Sequence, residues 1–202
     1  MSAVPELIAA RRSIRAFSDD PVDLTVVDAL VEAACLAPAP HHSRPWRFVV
    51  VAGTEAKAAL AAGMGARWRD DLERDGVASD RIDELLAAST AKLTGAPVLV
   101  VGCLTMHGLD HYPDERRQRA EHGMALLSLG AAVENLMLTA PEHGLATCWV
   151  AAPIFCPDAA RDALALPLDW LPHALVLVGH PDPAYVARER PPVPLDELRA
   201  RR

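Results

Sequence analysis

Three stretches of the chain, 48–52, 97–104 and 174–179, are almost continuously apolar. A strand with one wet face alternates apolar and polar positions, so unbroken apolar runs of this length predict strands covered on both faces. A fourth strand is expected over 145–151. Other segments repeat at a helical period. Pro5 to Arg12 suits a short helix with Pro5 in its first turn and Leu7 and Ile8 on the apolar side. A second helix is expected after Pro21: Thr25 and Asp28 resemble a capping box, and Val27, Leu30, Val31 and Ala34 form a stripe that Pro38 and Pro40 end. Thr54 to Glu73 and Arg81 to Leu93 read as surface helices separated by a Gly76 turn. The longest helix is expected from Glu115 to His143, with Gly144 as a left-handed cap. Its small residues Ser128, Gly130, Ala131 and Ala132 imply close approach of another helix, in the same subunit or a second one. Pro157 to Leu164 predicts a short helix. The tail from Pro181 to Arg202, with Pro181, Pro183, Pro191, Pro192 and Pro194, is expected to be extended and to pack along the domain or across a partner.

Composition narrows the class. The 202 residues are 51% hydrophobic, enough to bury a substantial core, and no linker or repeat divides them, so a single domain over 1–202 is expected. A net charge of −7 argues against nucleic-acid binding, which draws on a cationic surface. The first seventeen residues lack an apolar stretch long enough for a signal peptide, which argues against export. The apolar segment 120–140 is interrupted by Glu121, His122, Glu134 and Asn135, each costly at a bilayer centre, so a buried helix is expected there rather than a membrane span. Cys35, Cys103, Cys148 and Cys156 show no short paired spacing, which suggests neither a disulfide framework nor a zinc site and points to the cytoplasm.

Three segments could carry chemistry. Arg11, Arg12, Ser13 and Arg15 put three guanidinium groups and a hydroxyl within five residues, a donor set that can surround a phosphate. Cations that merely complement a helix C-terminus would read the same way. The loop from Ala37 to Phe48, Ala-Pro-Ala-Pro-His-His-Ser-Arg-Pro-Trp-Arg-Phe, is stiffened by proline and enters a strand directly, either as a ligand loop or as a structural turn. Gly144 to Pro153 runs a strand into small residues, where a flat ring could lie against the backbone. No metal site is expected: His41 and His42 are adjacent, and Gly108 and Pro113 argue against a helix that would pair His107 with His111. Cys148 reads as a small buried hydrophobe. Gly63-Met64-Gly65 is not a dinucleotide fingerprint, and neither a P-loop nor a Gly-x-Ser-x-Gly elbow occurs.

Together, Arg11-Arg12-Ser13-Ile14-Arg15, Pro-Ala-Pro-His-His-Ser-Arg-Pro-Trp and Gly-Leu-Ala-Thr-Cys-Trp resemble the FMN-dependent nitroreductase family over nearly the whole chain. Within it, the His-His loop, Trp68-Arg69-Asp70-Asp71-Leu72, Tyr112-Pro113-Asp114 and Ala120-Glu121-His122 look most like the reductase domain of coenzyme F-420 biosynthesis enzymes, which follows a glutamate ligase domain there. The resemblance implies an α+β fold, a central mixed or antiparallel sheet flanked by helices, and an intertwined homodimer with FMN at its interface. Arg11, Arg12, Ser13 and Arg15 match phosphate and ring contacts. Ala39, Pro40, His41 and Ser43 match the loop that reaches the flavin from the partner. Val150 and Ala151 match the backbone beside the ring, and Arg190, or Arg188 as second choice, a late basic residue on the phosphate. Trp68, Arg69 and Asp71 match a substrate-side segment. The implied reaction is reduction of the enol double bond in a dehydro precursor of the deazaflavin coenzyme. Alternatives are a broad NAD(P)H-dependent nitroreductase or quinone reductase, or a non-catalytic flavin or deazaflavin carrier; the electron donor would be NAD(P)H or a reduced deazaflavin. The match is to the reductase domain and not the ligase domain, a departure that leaves two readings open: the same reduction by a stand-alone protein, or reduction of quinones or nitroaromatics with a nicotinamide donor.

Overall fold

The computed structural model describes residues 4–202. Its centre is a four-stranded antiparallel sheet of β1 (Trp46–Val51), β2 (Val98–Leu104), β3 (Ala146–Val150) and β4 (Leu171–Gly179), in the order β1-β2-β4-β3. Every residue of β2 is buried, and so are the last six of β4. The alternation of a strand sends Val98, Val100, Val176 and Val178 to one face and Leu99, Val101, Leu175 and Leu177 to the other. Both faces are covered, which is why neither strand shows alternating polarity. Burying one of these Leu or Val side chains stabilises the fold by about 1.5–3 kcal/mol.

On the first face lie α2 (Leu24–Ala34) and α5 (Glu115–Thr139); Asn135 Nδ2 donates to the Ala33 carbonyl at 3.3 Å between them. On the second lie α3 (Thr54–Arg74), α4 (Ser79–Gly95) and α6 (Pro157–Ala163). The α3 and α4 helices bury one stripe each, as their amphipathic sequences require. The short α1 (Val4–Ala10) leads into the edge of the sheet, and α7 (Leu195–Leu198) interrupts a tail that proline content alone marked as extended.

Several boundaries differ from the expected ones for identifiable reasons. The cap of α2 is Asp23, whose carboxylate accepts from the Thr25 backbone N–H at 2.8 Å, rather than Thr25 with Asp28. That hydrogen bond holds the Asp23 carboxyl below its ordinary pKa. The regular α5 stops at Thr139, before Pro141, which has no N–H to give; a 3-10 turn continues to His143. Gly144 then takes the left-handed conformation, φ 68°, and Leu145 N donates back to the Ala140 carbonyl at 3.1 Å. Glu115–His143 is long and apolar enough by composition to cross a membrane, yet 44% of its most apolar window is buried within this fold. Ser128 and Ala132, two of its small residues, are buried against the protein's own core.

Lys57 is buried at 7% exposure, and its Nζ donates to the carbonyls of Ala96 at 2.8 Å and Pro97 at 3.3 Å, just past the end of α4. Gly179 ends β4 where a Cβ would lie 2.8 Å from both Phe17 Cδ1 and Pro97 Cδ. Only glycine lets the Phe17 ring cover that end of the strand.

Candidate functional site

The residues after α1 run along the open edge of the sheet. Ser13 bridges Thr147 of β3 in parallel, and Ile14 N donates to the Thr147 carbonyl at 3.0 Å. The two segments therefore travel together, from Arg11 and Arg12 at one end toward Arg15 and Val150 at the other. Beyond that bridge no other strand pairs with the outer edge of β3 among the described residues. The tail returns to the same place: Arg190 Nη2 donates to the Arg11 carbonyl at 2.7 Å. Arg188 is exposed and makes no ion pair or hydrogen bond to a described residue. Some of this charge is already engaged. Arg12 donates to the Ala9 carbonyl at 2.7 Å, a cap on α1, and Arg11 pairs with Glu134 at 3.5 Å. Arg15 makes only a local contact, to the Ser13 carbonyl at 3.3 Å, so its charge is free for a ligand.

The histidine loop stands at the opposite edge. Ala39 precedes a 3-10 turn at Pro40–His42 that leads through Ser43 into β1. His41, His42 and Arg44 have φ of 51°, 54° and 48°, the left-handed region that disfavours side chains. Such positions cost of order 1–3 kcal/mol each and persist where the surroundings fix them, commonly at binding sites. Buried Pro45 and Trp46 provide that anchor. Ser43 Oγ is buried with no hydrogen-bond partner among the described residues. Three strand spacings of about 4.8 Å, roughly 14 Å, separate β1 from β3. Ala39, Pro40, His41 and Ser43 therefore do not gather with Arg15, Val150 and Ala151 inside one chain.

A cavity of about 490 Å³ opens beside the end of β3, with Met64, Arg67, Trp68, Asp71, Lys92 and Val150 in its wall. Trp68 and Asp71, which the resemblance matches to a substrate-side segment, share this wall. Arg69 does not join them; it donates to Asp83 of α4 at 2.6 Å and lies 3.9 Å from Glu73. Arg67 and Lys92 were missed by sequence reasoning, although Met64, Arg67, Trp68 and Asp71 follow an i, i+3, i+4, i+7 spacing that marks one helix face. A shallower apolar concavity of about 770 Å³ lies between α5 and β3, lined by Gly123, Met124, Leu127, Gly130 and Trp149. Leu127 is 77% exposed there.

Cys103 and Cys148 are buried and offer no nucleophile. Burial pushes the Cys148 thiol up, and that of Cys103 to about 12, so both stay protonated at neutral pH. No group of three or more His, Cys, Asp or Glu side chains poised for a metal occurs among the described residues.

The pattern of the nitroreductase family model matches residues 8–180, from the end of α1 through β4. The chain belongs to the nitroreductase family. Among relatives, it is 27% identical over 194 residues to the putative NAD(P)H nitroreductase YfhC of Bacillus subtilis (strain 168), covering 95% of this chain and 91% of that one. It is 29% identical over 188 residues to iodotyrosine deiodinase 1 of Rattus norvegicus, covering 87% of this chain but only 61% of the rat protein's length. Among solved structures, a BluB-like flavoprotein from Clostridium difficile 630 has the same fold, with a TM-score of 0.79, 21% identity and 99% coverage of both chains. The FMN and NADPH-dependent nitroreductase NfnB from sphigopyxis sp. strain HMH has a TM-score of 0.69 and 26% identity, covering 100% of this chain and 99% of its own. Family membership makes the protein an oxidoreductase.

Proposed function

We propose that this nitroreductase-family oxidoreductase uses FMN, held between two copies of the chain, to reduce a conjugated double bond in a small molecule. The substrate its sequence motifs favour is a dehydro precursor of a deazaflavin coenzyme. FMN as the cofactor follows from the family and from its FMN-dependent relative. The observation that carries the reading is the row of arginines beside the unpaired edge of β3, which ends at Val150 and is joined by Arg190.

The residues suit the group. A phosphate needs several charged donors, which Arg11, Arg12 and Arg190 would supply on exchanging their present contacts, with the Ser13 hydroxyl beside them and Arg188 as a second late cation. A flat polar ring needs backbone hydrogen-bonding groups and a close approach, which the small residues after Val150 allow. The buried, unpartnered Ser43 hydroxyl on the far edge supports a loop, Ala39, Pro40, His41 and Ser43, that completes the site of a second copy. The apolar concavity around Leu127 and Trp149 supports the same homodimer, since exposed apolar patches of this kind commonly mark an interface. When bound, FMN supplies hydride transfer. Arg15 would supply the positive charge that favours a reduced, anionic ring. Trp68 and Asp71 line the space in which the acceptor would sit.

A second reading, NAD(P)H-dependent reduction of nitro compounds or quinones, is favoured by the full-length similarity to YfhC and NfnB. Stopped-flow absorption tests both. Bound flavin should bleach with NADPH or a reduced deazaflavin and recover its colour on addition of the acceptor. Negligible bleaching with every donor would contradict an oxidoreductase role and leave a carrier.

A further inference from the structure

We propose that the cavity between α3, α4 and the turn after β3 binds the acidic group of a flat aromatic substrate, with Arg67 and Lys92 as its charge partners. Its volume of about 490 Å³ falls within the range of small-molecule sites, roughly 300–1,000 Å³. The helical spacing of α3 directs Met64, Arg67, Trp68 and Asp71 to one side, α4 adds Lys92, and the turn at 152–155 adds Phe155. Trp68 is 38% and Phe155 80% exposed, so two aromatic side chains stand at the opening with much of their apolar surface uncovered. Such surfaces suit a planar organic body.

The charge is unbalanced. Asp71, the cavity's one carboxylate, forms an exposed ion pair with Arg74 at 2.9 Å, and Arg67 and Lys92 together outnumber it in the wall, which keeps a net positive charge. Neither Arg67 nor Lys92 makes an ion pair or hydrogen bond with any described residue. Cys156, also in the wall, adds no negative charge, because burial outweighs Arg67 and holds its thiol protonated. Two cations that outnumber one exposed carboxylate, in a wall whose other residues are mostly apolar, attract an anion and raise its local concentration. Val150 and Ala152 form another part of the wall. The orientation of the substrate's reacting end toward them rests on the flavin reading above; the preference for an anion does not.

Calorimetric titration of the FMN-loaded protein with 4-nitrobenzoate and with its neutral counterpart 4-nitrobenzamide tests the inference. The acid should bind at least tenfold more tightly, about 1.4 kcal/mol. Arg67→Gln with Lys92→Gln should remove that preference and leave the amide within twofold of its original affinity, while Arg67→Lys with Lys92→Arg restores it. Equal affinities for acid and amide, or a preference that survives the double glutamine substitution, would overturn the anion site. Flavin content, read from the visible spectrum of each sample, reports separately. Equal affinities for acid and amide in the unsubstituted protein with flavin retained sink this inference alone, and a preference for the acid in unsubstituted protein that retains no flavin sinks the FMN reading alone.

Discussion

Replacing Ser43 by alanine should stabilise the flavin-free protein and weaken its hold on FMN, two effects of opposite sign from one oxygen atom. The hydroxyl is buried and has no partner among the described residues, while three of its close neighbours, His41, His42 and Arg44, sit in left-handed conformations. A buried polar group left without a partner costs about 1–3 kcal/mol, and alanine keeps the shape apart from that oxygen. Taking about 1 kcal/mol as the gain, Tm should rise by about 2–4 °C for a domain of this size. If the loop shifts on association so that the same hydroxyl reaches flavin bound to a second copy, the variant loses one neutral hydrogen bond, about 1 kcal/mol, and FMN affinity falls about fivefold. Differential scanning calorimetry of flavin-free protein and fluorescence titration with FMN read the two effects on one preparation. A lower flavin-free Tm would mean that the protein itself satisfies the hydroxyl. Unchanged FMN affinity would mean that the loop does not reach the flavin.

Three further outcomes are expected. Replacing Arg12 and Arg15 together by alanine should weaken FMN more than tenfold, at least about 1.4 kcal/mol, by equilibrium dialysis; unchanged affinity returns Arg12 to capping α1 through Ala9. Gly179→Ala should destabilise by about 1–3 kcal/mol in urea unfolding, because the new Cβ meets the Phe17 and Pro97 rings at 2.8 Å, and a neutral result would show that Phe17 moves freely. The His122 imidazole is held below its ordinary pKa of 6.5, first by burial and then by the charge of His173, whose ring centroid lies 5.9 Å away. The unfolded chain therefore takes up this proton first as the pH falls, so the contribution to stability is intact above about pH 6.5 and declines below it. His122→Gln should lessen the drop in Tm between about pH 7.5 and pH 5.5, and an unaltered or steeper drop would count against that sign.

What the sequence discloses depends on whether a residue's role is local. The strands were legible because β2 and β4 are buried on both faces, which leaves an apolar run that nothing else in the chain imitates. Gly144 was legible as a helix end because the left-handed cap is a one-residue requirement. Thr25 competes with Asp23 as the cap because two polar residues flank Leu24, and only the geometry of the hydrogen bond decides between them. Lys57 reads as a solvated helix residue until α4 is seen to end beside it, thirty-nine positions later in the chain. Around the cavity, a family motif points to Trp68 and Asp71, and the helical period alone puts Arg67 on the same face. Arg69 was included as a neighbour in sequence, but about 100° per residue turns it away toward Asp83. The distance between the histidine loop and the arginine row follows from strand order, which local patterning does not encode.

In the proposed homodimer each of two FMN sites draws residues from both copies of the chain. Sedimentation equilibrium of the FMN-loaded protein, followed in the flavin's visible absorption band, tests this most directly. Flavin should travel at the mass of a dimer, one flavin per chain, and be released when dilution separates the copies. Flavin held stoichiometrically at the mass of a single chain would contradict it.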